Sequence, residues 1–179
     1  GTNAGSAYIF SRSGSTWTQR AKIQSSEIQA SDLFGQKLSM SGDGTYVVVS
    51  AHLEDGGGAD PLSNAGAAYI FTGSGATWSQ QAKLVSNDIQ VNDRFGGLSV
   101  SINNDGTYAV VSAYQEDGGA GDPITNAGAG YIFTRSGSTW TQQAKITASD
   151  AQSSDFLGWS VAVNSDGTFV IIGAWGEDG

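Results

Sequence analysis

A chain of 179 residues, 39% of them hydrophobic, carries enough apolar side chain to bury a sizeable core, which excludes a disordered polypeptide. Acidic residues outnumber basic ones 17 to 8, for a net charge of −9 and a pI near 4.2, and no Lys/Arg cluster offsets this, so neither nucleic acid nor anionic lipid is an expected partner. The longest apolar runs, at 47–51 and 169–174, fall far short of the roughly 20 residues that span a bilayer, which excludes insertion by helices, and the lack of cysteine excludes disulfides and thiolate metal sites.

Read in chain order, the sequence repeats itself. Asn3-Ala-Gly-Ser-Ala-Tyr-Ile-Phe10 returns as Asn64-Ala-Gly-Ala-Ala-Tyr-Ile-Phe71 and as Asn126-Ala-Gly-Ala-Gly-Tyr-Ile-Phe133. Later landmarks keep the same phase: Trp17, Trp78 and Trp140; Lys22, Lys83 and Lys145; Asp32, Asp93 and Asp155; Asp43, Asp105 and Asp166. The repeats run 3–63, 64–125 and 126–179.

The first predicted strand with a wet face is 16–23, where Trp17, Ala21 and Ile23 alternate with polar residues. The stretch 46–50, Tyr-Val-Val-Val-Ser, lacks that alternation and reads as an inner strand covered on both sides, as does 169–173. The middle of the chain shows a full set, at 98–102, 108–113, 129–134 and 139–146. The first two are joined by Asn103-Asn-Asp-Gly106 and the last two by Arg135-Ser-Gly-Ser138, both hairpin turns in which Asn, Asp or Gly accepts positive φ. No helical period competes. The fold class is all-β, with four antiparallel strands per repeat, which matches the blade of a β-propeller. The blade phase is a half-blade at 1–31, blades at 32–92 and 93–154, and a half-blade at 155–179. Because Gly1 falls inside a repeat with no initiator Met, the chain reads as an excised or processed piece.

The steps Asp32-Leu-Phe-Gly35, Asp93-Arg-Phe-Gly96 and Asp155-Phe-Leu-Gly158, each followed by an apolar strand ending in Ser50-Ala51, Ser112-Ala113 or Gly173-Ala174, resemble FG-GAP repeats, the blades of integrin α-subunit propellers and of many bacterial surface proteins. The resemblance covers the whole chain. It implies a propeller, an extracellular or cell-surface location and a role in recognition. One departure is visible: calcium-binding members carry a loop like Asp-x-Asp-x-Asp-Gly between the first two strands, whereas here 41–44, 103–106 and 164–167 hold one carboxylate each, as a plain turn does.

Candidate sites follow from the residue types. Glu54, Asp55 and Asp60, with their counterparts Glu116, Asp117 and Asp122, place three carboxylates on a glycine-rich loop, which either chelates Ca²⁺ or is a solvated acidic loop. Trp17, Trp78 and Trp140 recur once per blade and read as packing between blades, with sugar stacking as the alternative. Trp159 and Trp175 do not recur, which makes them the candidates for ligand contact. Asp32, Asp93 and Asp155 are expected to accept backbone N–H bonds at the start of the inner strand. Lys22, Lys83 and Lys145 read as charges guarding a sheet edge. His52 is the single histidine and belongs to no triad pattern, so no enzyme is expected.

The expected function is therefore an extracellular binding or adhesion propeller module without catalytic activity. Its ring is completed by self-association of complementary half-blades, a homo-oligomer, or by the rest of a longer chain, and its ligand is a protein or a glycan. The alternatives are a structural self-assembling repeat protein and a lectin-like propeller.

Overall fold

The computed structural model describes residues 2–55, 62–118 and 123–178. Twelve strands are found and no helix among the described residues: β1 (Ala7–Ser13), β2 (Thr16–Ile23), β3 (Leu38–Met40), β4 (Tyr46–Ala51), β5 (Ala67–Ser74), β6 (Thr77–Leu84), β7 (Val100–Ile102), β8 (Tyr108–Ala113), β9 (Ala129–Ser136), β10 (Thr139–Ile146), β11 (Leu157–Val163) and β12 (Val170–Ala174). They form two four-stranded antiparallel sheets, β3-β4-β5-β6 and β7-β8-β9-β10, and two hairpins, β1-β2 and β11-β12. The all-β blade architecture read from the sequence is thus the observed one, and the sheets do not close into a ring.

Each blade buries both faces of its second strand because a sheet lies on either side. Val47 and Val49 of β4 join Ala7, Ile9 and Ile23 of the first hairpin in one core cluster, while Val48 joins Val100, Ile102, Ala109 and Val111 of the next blade in another. Burying each of these valines and isoleucines is worth about 1.5–3 kcal/mol, so the core is the set of seams between blades. The Phe of the Phe-Gly step seals the top of each seam. Phe34 meets Tyr69 and Phe71 at ring distances of 5.7 and 5.9 Å, and Phe95 meets Tyr131 and Phe133 at 5.5 and 5.9 Å, which explains why Tyr-Ile-Phe recurs on the third strand.

The glycine of Asn-Ala-Gly is dictated by close approach. The Gly128 backbone has φ +81°, and a Cβ there would sit 2.1 Å from the Leu157 carbonyl oxygen of the next hairpin. That proximity lets Leu157 N–H donate to Ala127 O at 2.8 Å, as Phe34 does to Ala4 and Phe95 to Ala65. Serines tie the inner strands together: Ser99 Oγ accepts from Val161 N–H at 3.0 Å and Ser101 Oγ from Val163 N–H at 3.2 Å. Unpaired edge amides of β11 are satisfied in this way by the preceding blade.

Strands 108–113 and 139–146 have the extents expected from sequence. The inner strand is shorter, beginning at Val100 rather than 98. Ser112 N–H donates to Ser99 O at 3.2 Å, but Ser99 N–H donates at 3.1 Å to Ser112 Oγ instead of to a carbonyl, so a side chain takes over half of the ladder pair there. The outer hairpins carry a bulge at Ile9/Phe10, Ile70/Phe71 and Gln142/Ala144.

Candidate functional site

The start of each inner strand is a fixed turn. Asp32, Asp93 and Asp155 are buried, and each accepts the N–H of the residue three before it, from Gln29, Gln90 and Gln152, at 2.5, 2.7 and 2.6 Å. The residue after each Asp is left-handed, with φ of 59° at Leu33, 53° at Arg94 and 55° at Phe156. A non-glycine residue in that region is uncommon, and here the bonded Asp holds it. The turn brings together three repeat positions: Leu33/Arg94/Phe156, Gln36/Gly97/Trp159 and His52/Tyr114/Trp175.

In the C-terminal hairpin all three positions are aromatic, and they form one surface with Tyr114 of the preceding blade. Trp159 and Trp175 stack at 5.1 Å with planes 23° apart; Phe156 lies 6.4 Å from each, and Tyr114 lies 6.3 Å from Phe156 and 6.0 Å from Trp159. Trp159 is 41% and Trp175 68% exposed, so the stacked pair presents apolar area to solvent. Arg94 Nη1 donates to the Tyr114 hydroxyl at 3.1 Å, fixing the inner end of the surface. The sequence singled out Trp159 and Trp175, and the structure joins them. It missed Tyr114 and Phe156, which the repeat columns reveal only once the three positions are known to share a turn.

The described carboxylates of the acidic loops are each tied to a neighbouring group. Glu54 is buried and bound by Lys83 Nζ at 2.5 Å; Glu116 is buried, bound by Lys145 Nζ, and its other oxygen accepts from Gly118 N–H at 3.0 Å. Burial is the largest influence on Glu116 and raises its pKa, with Lys145 acting in the opposite direction. Asp55 and Asp117 accept the N–H of Asn64 and Asn126 at 3.0 and 2.8 Å, holding the loop against the Asn-Ala-Gly turn. Asp60 and Asp122 lie outside the described residues. Among the described residues no group of three or more His, Cys, Asp or Glu could hold a metal ion, and each buried glutamate of the loops faces a lysine ammonium.

Lys83 and Lys145 are therefore not simply edge charges. Both are mostly covered, each lies over a tyrosine ring (Tyr69 at 5.9 Å, Tyr131 at 5.8 Å), and each also reaches an acid of the preceding blade, Glu27 at 3.5 Å and Asp88 at 2.7 Å. The one-carboxylate turns between inner strands are plain turns: Asp105 is held below the usual carboxylate range chiefly by the Thr107 hydroxyl at 2.6 Å, and Asp43 by Ser41 and Thr45.

The profile of the FG-GAP repeat matches residues 17–71, 78–133 and 140–179. The chain belongs to the FG-GAP repeat family. A search of curated proteins finds no match to it. The first two matched segments run from an outer strand through the Phe-Gly turn to the third strand of the next blade, and the last runs from β10 through the Leu-Gly turn and β12, so the FG-GAP unit spans the seam rather than one sheet. Among its recurring residues, Trp78 and Trp140 pack against the seam clusters, and Trp140 Nε1 donates to Gln81 of the preceding FG-GAP blade at 2.8 Å. Trp17, which has no preceding sheet among the described residues, is 64% exposed. His52 sits at the FG turn of its blade, its pKa lowered to about 4 by burial first and then by the positive charges of Arg94 and Lys37.

Proposed function

We propose that this FG-GAP chain is a non-catalytic binding module of a secreted or cell-surface protein, and that it engages its ligand through the face carrying the Phe/Leu-Gly turns. The observation that supports this most is the aromatic surface of Tyr114, Phe156, Trp159 and Trp175, where the equivalent positions of the first complete blade hold Leu33, Gln36 and His52. A buried, neutral His52 beside two cations is a poor general base, which supports binding over catalysis. The ring of the module is completed either by a second copy or by further blades of a longer chain.

The exposed, nearly parallel Trp159–Trp175 stack favours a second reading, a lectin-like propeller, since flat indole faces suit the apolar face of a sugar ring. The test is a glycan array run beside a displayed-peptide library, each probed with the purified chain. Hits that weaken at least about ten-fold on Trp175→Ala and Trp159→Ala support the site. Hits confined to glycans select the lectin reading, and hits indifferent to both substitutions, or none, overturn the aromatic surface as the binding face.

A further inference from the structure

The seam between the two complete blades is charged at the end that carries the Phe-Gly turns. Lys37 lies opposite Ser50: its carbonyl accepts the Ser50 N–H at 2.9 Å and its own N–H donates to Ser50 Oγ at 3.1 Å, so the two side chains share a face of the sheet. That face looks onto the next blade. Ser39, on the same side as Lys37, accepts through Oγ from Ile102 N–H at 3.3 Å, and a Cβ on Gly96 would fall 2.8 Å from Ser50 Cβ. His52 follows two residues after Ser50. Across the next seam Tyr114, in the His52 column, meets Phe156, in the Arg94 column, at 6.3 Å, and by the same repeat relation His52 faces Arg94. Lys37, His52 and Arg94 thus converge where the following seam holds Ser99, Tyr114 and Phe156, none of them charged.

These groups are short of partners. In a chain with net charge −9 and 8 basic residues, neither Arg94 nor Lys37 forms an ion pair among the described residues, whereas Lys83 and Lys145 form two each. Arg94 Nη1 donates to the Tyr114 hydroxyl at 3.1 Å, but Arg94 Nε is buried without a hydrogen-bond partner, and so is Nδ1 of His52, a residue only 6% exposed. Buried polar nitrogens are rarely left unbonded, so two in one seam call for an acceptor. Both cations also act on His52, lowering its pKa after burial does, which places them within electrostatic reach of its ring.

We propose that this end of the seam is a binding site for a carboxylate. The Nε–Nη2 edge of Arg94 offers two parallel N–H donors that match the two carboxylate oxygens, Lys37 adds a point charge, and His52 supplies a further donor as its Nδ1–H tautomer. Arg94 and Lys37 are half-buried, so the ligand reaches them from solvent while His52 lies beneath. The site is bounded by complete sheets on both sides and meets the aromatic surface only at Tyr114.

The single histidine makes the test direct, because the His52 imidazole gives one NMR signal. It is followed at neutral pH and constant ionic strength while acetate, glucuronate or an acetylated, amidated glutamate is added, with chloride, acetamide and glucose as controls. The expected result is a saturable shift with the carboxylates, at millimolar half-saturation, and none with the controls. Tighter binding of glucuronate identifies an acidic sugar as the source of the carboxylate, tighter binding of the glutamate derivative an acidic peptide, and both support the site. Arg94→Gln weakens binding at least about ten-fold, Arg94→Lys restores only part of it because the fork is missing, and Lys37→Gln weakens it about three-fold. Arg20→Gln, exposed on the first hairpin, leaves it unchanged. Circular dichroism keeps unfolded variants from being counted, and Lys37→Gln carries the test if the Arg94 variants do not fold. A shift that chloride reproduces, or saturation that survives Arg94→Gln in a folded chain, overturns the proposal. Trp175→Ala leaves carboxylate binding intact, so loss of the aromatic surface and loss of this site are separate results.

Discussion

The complete blades and the two hairpins are built from one repeat, yet equivalent positions occupy opposite environments. Val48 and Val110 are fully buried in β4 and β8, whereas Ile171, at the same place in β12, faces solvent. Tyr69 and Tyr131 are fully buried, whereas Tyr8 is half exposed; Lys83 and Lys145 hold buried glutamates, whereas Lys22 holds none among the described residues. Burial here is a property of the neighbouring sheet. The repeat encodes two apolar faces and a paired edge, and where no neighbour lies among the described residues the same side chains face solvent.

The widest gap between the two regions is expected from the tyrosines. Tyr131→Ala removes a ring packed against Phe95 and is expected to cost about 3–5 kcal/mol in a urea melt, while Tyr8→Ala in the dilute chain stays within about 0.5 kcal/mol. Equal costs would show that the hairpin is as well packed as the blade. Glu116→Gln comes next: it leaves the mostly covered Lys145 with Asp88 alone and is expected to cost about 2 kcal/mol, discounted for partial exposure, with part regained on adding Lys145→Met. Lys22→Met in the dilute chain is expected to be nearly neutral.

The smallest effect separates repeats by pH. His52 has a folded pKa of about 4, below the ordinary 6.5, so the folded state favours the neutral ring. Its contribution is present above pH 6.5 and is lost as the pH falls toward 4, with a slope no steeper than about 1.4 kcal/mol per pH unit. Thermal melts at pH 7 and pH 5 should therefore draw together in His52→Tyr, which installs the residue found at 114. A wild-type melt that rises on acidification relative to the variant contradicts the assignment.

Much of the fold was legible because the turns are chemically explicit. Asn103-Asn-Asp-Gly106 and Arg135-Ser-Gly-Ser138 bracket strands whose observed ends match the expected ones or lie within two residues of them. The inner strand was over-read by two residues because a hydroxyl, Ser112 Oγ, imitates a backbone partner, and a propensity pattern does not distinguish the two. The lysines were misread because a strand pattern shows which face a residue takes but not what arrives there: Glu54 and Glu116 approach from 29 positions upstream. The binding surface was half legible. Two unrepeated tryptophans stand out in any alignment of the repeats, whereas Tyr114 and Phe156 become meaningful only after the left-handed turn at Phe156 brings their columns together.

Amide hydrogen exchange, compared strand by strand, bears most directly on the claim that burial in each repeat is set by the neighbouring sheet. The account predicts that β4, β5, β8 and β9, paired on both sides, exchange slowly, while β1 and β12, with one neighbour each among the described residues, exchange fast. Equally slow exchange in β1, β12 and the strands of the complete blades would contradict it.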